Sequence, residues 1–93
     1  MTKYLPRLTF ISGPLRGQEH VLAEGETAIG REPANQLPIA DGSLSRRHCR
    51  IVRVGDECTL TDLGSLNGTF VNDVPVQERQ LTHGDRIRLG DSS

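Results

Sequence analysis

The residues best suited to chemistry are arginines gathered in one short segment. Between Ser43 and Val54 the chain carries four arginines and no acid, and Arg31 adds a fifth after Gly30. The rest of the chain balances them, because the formal net charge is −1. Guanidinium groups bind carboxylate and phosphate in a planar, bidentate way. One locally basic segment in a near-neutral chain therefore indicates a site for one anionic group rather than for a polyanion.

Strand alternation limits how many of these arginines can share one site. It predicts Arg47 and Arg53 on one face of a strand and Arg46 and Arg50 on the other. At least two of them are therefore expected to be ordinary surface residues. Arg31 and Arg46 differ from the rest, because each lies at the edge of a loop, where side chains can converge.

Ser45 and His48 stand three residues apart, a spacing that also suits a nucleophile and its base. A serine hydrolase needs in addition an orienting acid and an oxyanion hole. The sequence around Ser45 does not resemble a nucleophile elbow, and a hydroxyl beside arginines is better explained as a hydrogen-bond donor to an anion. We therefore predict no catalytic residue and a protein that is not an enzyme.

A packed, structural role is predicted for His48. It opens a predicted strand between Leu44 and Ile51, as expected for a histidine that bonds the backbone of a loop. His20 and His83 are far from it in sequence, and the cysteines form no paired motif with metal-ligand spacing. The sequence therefore predicts no metal site and no cofactor.

The two cysteines, Cys49 and Cys58, are predicted to be small core residues. A two-residue turn at Gly55-Asp56 places Cys58 opposite Arg53 rather than opposite Cys49, so a disulfide would need another register. Two cysteines also do not make a disulfide scaffold. We expect a cytoplasmic chain with reduced thiols.

Composition excludes several classes of protein. Only 3% of the 93 residues are aromatic, and Phe10 and Phe70 are expected in the core. A single-stranded nucleic-acid binder needs exposed aromatic platforms and a basic groove. The chain has no run of about 18 apolar residues, as a transmembrane helix would need, and its N-terminus lacks the apolar region of a signal peptide. We predict no direct nucleic-acid binding and no membrane partner.

The elements that must position these residues are short strands. Glycines and prolines fall at short, fairly regular intervals, and no helical apolar stripe is present. Many short strands with frequent turns favour an antiparallel sandwich or barrel. The predicted strands are Leu8–Ile11, Glu19–Leu22, Thr27–Ile29, Leu37–Ile39, His48–Val54, Glu57–Leu63, Thr69–Val71, Val74–Val76 and Arg86–Leu89.

The order and spacing of four motifs resemble those of the forkhead-associated (FHA) domain, over roughly residues 8–91. The resemblance implies an all-β, FHA-type sandwich of about 10–11 short strands that binds phosphothreonine peptides through loops at one end. The four motifs are Gly30-Arg31, Ser45-Arg46-Arg47-His48, Asp62-Leu63-Gly64-Ser65-Leu66-Asn67-Gly68-Thr69 and Leu81-Thr82-His83-Gly84-Asp85.

Carried over position by position, the resemblance assigns roles to seven residues. Arg31 and Ser45 are implied to contact the phosphate, and Arg46 to contribute beside them. Asn67 is implied to hold the backbone of the peptide. The residues implied to shape the loops without touching the ligand are Gly30, His48 and Gly68.

The sequence departs from the family pattern at several points. Leu66 stands where many members have threonine or another polar residue before the asparagine. Ser43 lies where some members carry a base that reads the peptide beyond the phosphothreonine. The expected last strand is missing, and an open sheet edge could lower stability or pair with a second chain. We therefore expect a monomer or a weak dimer through that edge.

We predict a single FHA domain over residues 1–93, as the N-terminal module of a longer bacterial signalling or transcriptional regulator. The expected function is to couple Ser/Thr phosphorylation to a downstream effector, by analogy a sigma-54-dependent transcriptional activator. The expected partner is a phosphothreonine-containing protein or peptide. The alternative is phospho-independent association or dimerisation through the same fold, against which the presence of Arg31, Ser45 and Asn67 argues.

Overall fold

The structure is a computed structural model that describes residues 6–10 and 14–90. Ile11 of the first predicted strand and Gly13 of the following turn lie outside these residues, as does the end of the chain from residue 91. Within the described ranges the chain forms strands, turns and bends, and no helix.

The described part of the chain contains ten short strands separated by turns. Most of them span only two or three residues, as the close spacing of glycine and proline predicts. The strands are β1 Arg7–Thr9, β2 Glu19–Val21, β3 Gly25–Gly30, β4 Leu37–Pro38, β5 Cys49–Val54, β6 Glu57–Asp62, β7 Thr69–Val71, β8 Val74–Pro75, β9 Glu78–Gln80 and β10 Ile87–Leu89.

The strands form three sheets. The large sheet has the order β4-β3-β5-β6-β9, the small sheet has the order β10-β7-β8, and β1 pairs with β2 in a separate ribbon. Of these pairings only β3–β4 is parallel, with Ile29 opposite Leu37. All the other pairings within the described residues are antiparallel.

Alternation along the strands buries one face of the large sheet. Ile29, Ile51 and Leu60 lie on neighbouring strands and are almost wholly buried. They share one apolar cluster with Val71 and Leu89 of the small sheet. Because the two sheets contribute side chains to a single apolar layer, the fold is a β-sandwich, and the predicted fold class is confirmed.

β3 and β9 differ most from the sequence prediction, and the other strands differ by at most two residues at either end. β3 begins at Gly25, where the sequence indicates a turn, because Gly25 adopts a φ of 95° and still pairs with Arg53. β9, Glu78–Gln80, is absent from the predicted strands. Its three polar residues carry no β signal, and backbone pairing with β6 at the edge of the large sheet makes it a strand.

The cysteine prediction is confirmed. Cys58 lies opposite Arg53 in the β5–β6 ladder, and both cysteines are free and buried. Burial, with a smaller contribution from the nearby Asp62 carboxylate, raises the pKa of the Cys49 thiol to about 12. Burial likewise raises the pKa of Cys58. Both groups are therefore protonated thiols at neutral pH, and they act as small core residues.

The prediction for the aromatic residues needs correction. Phe10 is only partly buried and packs against the apolar cluster from outside. Phe70 is also only partly buried, and the central carbon of the Arg88 guanidinium lies 3.9 Å from its ring centroid. The Phe70 ring thus makes a cation–π contact outside the apolar cluster.

Three loops meet at one end of the large sheet. They are the 31–36 loop after β3, the 39–48 loop before β5 and the 63–68 loop after β6. Hydrogen bonds join the second loop to both of the others, through Arg31 N to Ser45 O and through Leu66 N to Ser45 Oγ. We call these three segments together the loop face. The β5–β6 turn at Gly55-Asp56 lies at the opposite ends of the same strands.

Candidate functional site

Gly30 allows the 31–36 and 39–48 loops to touch. A Cβ atom at this position would lie 2.3 Å from the carbonyl oxygen of Arg46, closer than any real contact. Beyond Gly30, Arg31 N donates to Ser45 O at 3.0 Å and Glu32 N donates to Arg46 O at 3.1 Å. Close backbone approach is thus the physical reason for glycine here.

Asn35 ties the same two loops together from the side. Its side chain is buried, and its Nδ2 donates to Glu32 O at 2.7 Å and to Arg46 O at 2.8 Å. Both carbonyls belong to the junction that carries Arg31 and Arg46. Asn35 is therefore a positioning residue for that junction, and the sequence analysis did not single it out.

Arg31 and Arg46 line one open depression of about 250 Å³ together with Glu32 and Pro33. Both arginines are exposed. Across the described residues neither guanidinium forms an ion pair or a hydrogen bond. Two converging cations without protein partners are suited to an anionic ligand.

Ser45 presents its hydroxyl between the second and third loops. Its Oγ accepts a hydrogen bond from Leu66 N at 2.9 Å. A hydroxyl has one proton and two lone pairs, so acceptance from the backbone leaves the proton of Ser45 for an outside acceptor. The backbone N–H of Ser45 is used by His48 Nδ1 at 3.1 Å.

His48 fixes the relative position of the second and third loops. It is fully buried, and its Nδ1 accepts from Ser45 N, while its Nε2 lies 2.7 Å from Gly68 O. An acceptor at Nδ1 and a donor at Nε2 define the neutral, Nε2-protonated tautomer. The predicted role as a packed histidine that bonds a loop's backbone agrees with these contacts.

Gly68 closes the third loop. Its φ is 88°, in the left-handed region that favours glycine, and a Cβ would lie 3.1 Å from the Phe70 ring. Its carbonyl accepts from His48 Nε2 and from Gly90 N. Gly90 in turn leaves room for Ser43, because a Cβ there would lie 2.7 Å from Ser43 O.

Asp62 holds the third loop by its side chain. One carboxylate oxygen accepts from the hydroxyls of Ser65 and Thr69, and the other accepts from Gly64 N and Ser65 N. Burial by itself would raise the pKa of Asp62, but these hydrogen bonds outweigh it and hold the pKa below its ordinary value of 3.8. The carboxylate is therefore ionised and organises the loop at neutral pH.

Asn67 reaches across to the second loop. Its Nδ2 donates to Ser43 O at 2.7 Å, and its side chain is otherwise exposed. A primary amide has two N–H donors and one carbonyl acceptor. Its Oδ1 is therefore left for a ligand that offers a backbone N–H.

The loop face thus brings together the four residues predicted to contact a ligand, which are Arg31, Ser45, Arg46 and Asn67. The other arginines do not line the depression of Arg31 and Arg46. Arg47 lines a separate depression with Glu26, and Arg53 donates to Leu22 O and Gly55 O. Since β5 begins at Cys49, strand alternation applies to Arg50 and Arg53, and not to the two arginines that precede the strand.

Three positioning residues were missed or given no role in the sequence analysis. Asp62 lies within a quoted motif, and the spacing from Asp62 to Ser65 is a recognisable turn signal. Asn35 and Gly90 gave no signal, because their contacts are made by residues distant in sequence. In the described ranges no cluster of three or more His, Cys, Asp or Glu side chains could hold a metal ion. No helix there is long and apolar enough to span a membrane.

Comparison with known families identifies the fold by sequence. The family model described as the FHA domain matches residues 27–90, which include the whole loop face. The chain belongs to the FHA domain family. The predicted resemblance is thereby confirmed, and it accounts for the four motifs in their observed order.

Three curated proteins of similar sequence come from Corynebacterium, Mycobacterium and Mycolicibacterium species. The chain is 41% identical over 78 residues to an oxoglutarate dehydrogenase inhibitor of Corynebacterium jeikeium. It is 49% identical over 76 residues to the FHA domain-containing protein FhaA of Mycobacterium tuberculosis. It is 38% identical over 78 residues to the glycogen accumulation regulator GarA of Mycolicibacterium smegmatis. These matches cover 84%, 82% and 84% of this chain but only 54%, 14% and 49% of the relatives.

Solved structures show the same architecture. An FHA domain from an analysis of phosphothreonine-dependent FHA domain interactions has a TM-score of 0.86 at 45% identity, over 92% of this chain and 88% of that chain. The FhaA FHA domain complexed with the intracellular domain of Rv3910 gives the same score and identity, over 92% of each chain. Mycobacterium tuberculosis EmbR, in complex with a low-affinity phosphopeptide, has a TM-score of 0.84 at 31% identity, over 92% of this chain and 22% of that chain.

Proposed function

We propose that the loop face binds phosphothreonine-containing peptides and that this binding is regulatory rather than catalytic. The observation that carries the proposal is that the guanidinium groups of Arg31 and Arg46 line one depression and have no ion-pair partner among the described residues. The hydroxyl of Ser45 lies in the adjoining segment with its proton available to a ligand. Together these groups supply charged and neutral donors, as a phosphate dianion requires.

The phosphate is bound by Arg31, Ser45 and Arg46. The planar guanidinium of Arg31 can bond two phosphate oxygens. Arg46, in the 39–48 loop before β5, adds a second positive charge. Charge-assisted hydrogen bonds contribute about 1.5–3 kcal/mol each. Two or three of them, less the cost of ordering the peptide, correspond to dissociation constants that are micromolar or weaker. Such affinity suits a reversible signal and depends on the phosphate.

Asn67 holds the peptide backbone in this proposal. Its Nδ2 is already anchored on Ser43 O, so its side chain has a fixed direction. Asn67 Oδ1 can accept a hydrogen bond from a backbone N–H of the peptide, and the second N–H of Nδ2 can donate to a peptide carbonyl. Gly30, His48 and Gly68 shape the face through the contacts described above and do not touch the ligand.

The regulatory role is proposed from the relatives. Their names describe an inhibitor of oxoglutarate dehydrogenase and a regulator of glycogen accumulation, and one solved FHA domain of similar sequence is held in complex with a second protein. We infer that this chain couples Ser/Thr phosphorylation of a partner protein to a downstream effector. None of the relatives described above carries the name of a sigma-54-dependent activator, so the effector is proposed only as a regulated protein.

The proposal is tested by fluorescence anisotropy with a degenerate phosphothreonine peptide pool. Arg31→Ala is the site variant, and Arg53→Ala is the matched control, because Arg53 carries the same charge at the far end of β5. Phosphoserine and unphosphorylated pools are the ligand controls. We expect saturable binding of the phosphothreonine pool by the wild type and by Arg53→Ala, and at least about tenfold weaker binding by Arg31→Ala. Equal binding of the unphosphorylated pool would contradict the proposal.

A further inference from the structure

The loop face carries one large hydrophobic side chain that is exposed rather than packed in the core. Leu66 is 89% exposed, the highest value among the exposed large hydrophobic residues of the described chain. The others are valines on strands or strand ends. A single exposed leucine is ordinary on a protein surface. Whether Leu66 has a function therefore depends on its position in the loop face and on the hydrogen bonds of the backbone around it.

The backbone around Leu66 is fixed on both sides. Leu66 N donates to Ser45 Oγ, the Oγ of Ser65 accepts from Gly68 N, and Asn67 Nδ2 donates to Ser43 O. The bonds that shape the loop are thus made by the backbone at position 66 and by the side chains on either side of it. The side chain of Leu66 therefore contributes nothing to the loop's shape, and it is presented to solvent from a rigid support.

The position is adjacent to the proposed phosphate contacts. The bond of 2.9 Å from Leu66 N to Ser45 Oγ places the Leu66 Cα within about 4.4 Å of that hydroxyl. An extended peptide advances about 3.3 Å per residue. Side chains of a bound peptide within about two residues of the phosphothreonine therefore come within reach of Leu66.

We infer that Leu66 is a specificity contact, so that the partners of this chain carry an apolar side chain within about two residues of the phosphothreonine. This inference rests on the proposed function. The proposed phosphate-binding groups of the face are charged or polar, and Leu66 adds a large exposed apolar side chain close to them. Burial of Leu66 against an apolar side chain of the partner lowers the free energy of binding. Because the backbone at Leu66 is already fixed by hydrogen bonds, the entropy cost of ordering it on binding is small.

The test uses phosphothreonine peptides that differ at one position. Pairs with Leu or Ser at the second and first positions before the phosphothreonine, and at the first and second positions after it, are titrated by anisotropy. The variants are Leu66→Ser, its control Val74→Ser, an exposed apolar residue on β8, and Arg31→Ala. For at least one position, we expect the wild type to bind the Leu peptide about tenfold more tightly than its Ser twin. That factor corresponds to about 1.4 kcal/mol.

Leu66→Ser is expected to remove this preference by weakening the Leu peptide alone, whereas Val74→Ser keeps it. The inference is overturned if the wild type binds the Leu and Ser peptides equally at every position, or if Leu66→Ser weakens both members of a pair alike. In either case, loss of binding in Arg31→Ala would show that the proposed function survives without the inference. If the wild type binds none of the phosphopeptides, the proposed function fails and the inference fails with it.

Discussion

The two ends of the large sheet are stabilised in different ways. At the β5–β6 turn, six residue pairs of regular antiparallel ladder run up to Gly55-Asp56, where the side chains of Arg53 and Glu24 bond the backbone of Gly55. At the loop face no ladder is present, and the three loops are joined both by single backbone–backbone bonds and by side chains that bond backbone groups of another loop. The side chains that do this include Asn35, Ser45, His48 and Asn67.

The difference gives a physical reason for the ligand binding proposed at the loop face. A ladder uses its backbone donors and acceptors internally and leaves only strand edges open. Polar side chains that hold loops together also bring spare donors and acceptors, such as the Ser45 hydroxyl proton and Asn67 Oδ1. Shape at the loop face is therefore more sensitive to single polar substitutions than shape at the β5–β6 turn. The following predictions test that contrast, in order of expected effect on stability.

His48→Ala is expected to have the largest effect. It leaves a cavity at a fully buried site and removes the partners of Ser45 N and Gly68 O. We expect the free energy of unfolding to fall by about 4 kcal/mol in urea denaturation. The control His20→Ala, on partly exposed β2, is expected to cost less than about 1 kcal/mol. Equal costs for the two histidines would contradict the contrast.

Gly30→Ala is expected to come next. The new Cβ would clash with the carbonyl of Arg46, so the first two loops must separate. The expected loss is about 3 kcal/mol in the free energy of unfolding. Gly55→Ala is the matched control, because Gly55 has a φ of 61° and nothing within 4 Å of its Cβ position. That strain alone should cost about 1–2 kcal/mol. A larger loss for Gly55→Ala would reverse the comparison.

Asp62 provides a prediction on pH. Its pKa in the folded protein is lowered, so its contribution is present above the unfolded value near 3.8 and is lost as pH falls through the lower folded value. We expect Asp62→Asn to reduce the free energy of unfolding by about 2 kcal/mol at pH 7. As the pH falls below 4, the free energy of unfolding of the variant should also decrease less than that of the wild type. Parallel pH profiles from chemical denaturation would show that the hydrogen bonds to Asp62 do not act in this way.

Asn35→Ala is expected to have a smaller and more local effect. Removing the two bonds from Nδ2 should speed hydrogen exchange of the Arg31 and Glu32 amides about tenfold, which corresponds to about 1.4 kcal/mol. Gln36→Ala is the control, because Gln36 Oε1 accepts a hydrogen bond from Ala28 N in β3 and not from the 39–48 loop. If both variants changed exchange at Arg31 and Glu32 equally, Asn35 would have no special positioning role.

The amino-acid sequence predicts most of the strands and the motifs of the loop face, but it does not predict β9 or the role of Asn35. The strands that alternate or contain β-branched residues, such as β5 and β6, were predicted close to their observed bounds. β9 was missed because pairing with β6, rather than its own polar residues, makes it a strand. The residues proposed to contact the ligand lie in recognisable motifs, whereas Asn35 acts through Arg46 O, eleven residues away, and no local pattern encodes that contact.

The most direct test of the central claim is an NMR titration that compares the two ends of the sheet. Amide shifts of the ¹⁵N-labelled chain are followed on adding a phosphothreonine peptide and, separately, its unphosphorylated twin. We predict that the phosphopeptide alone shifts amides of the loop face, including Arg31, Ser45 and Asn67, while Gly55 at the far end stays unchanged. Equal shifts with both peptides, or shifts centred on the β5–β6 turn, would contradict phosphothreonine recognition by the loop face.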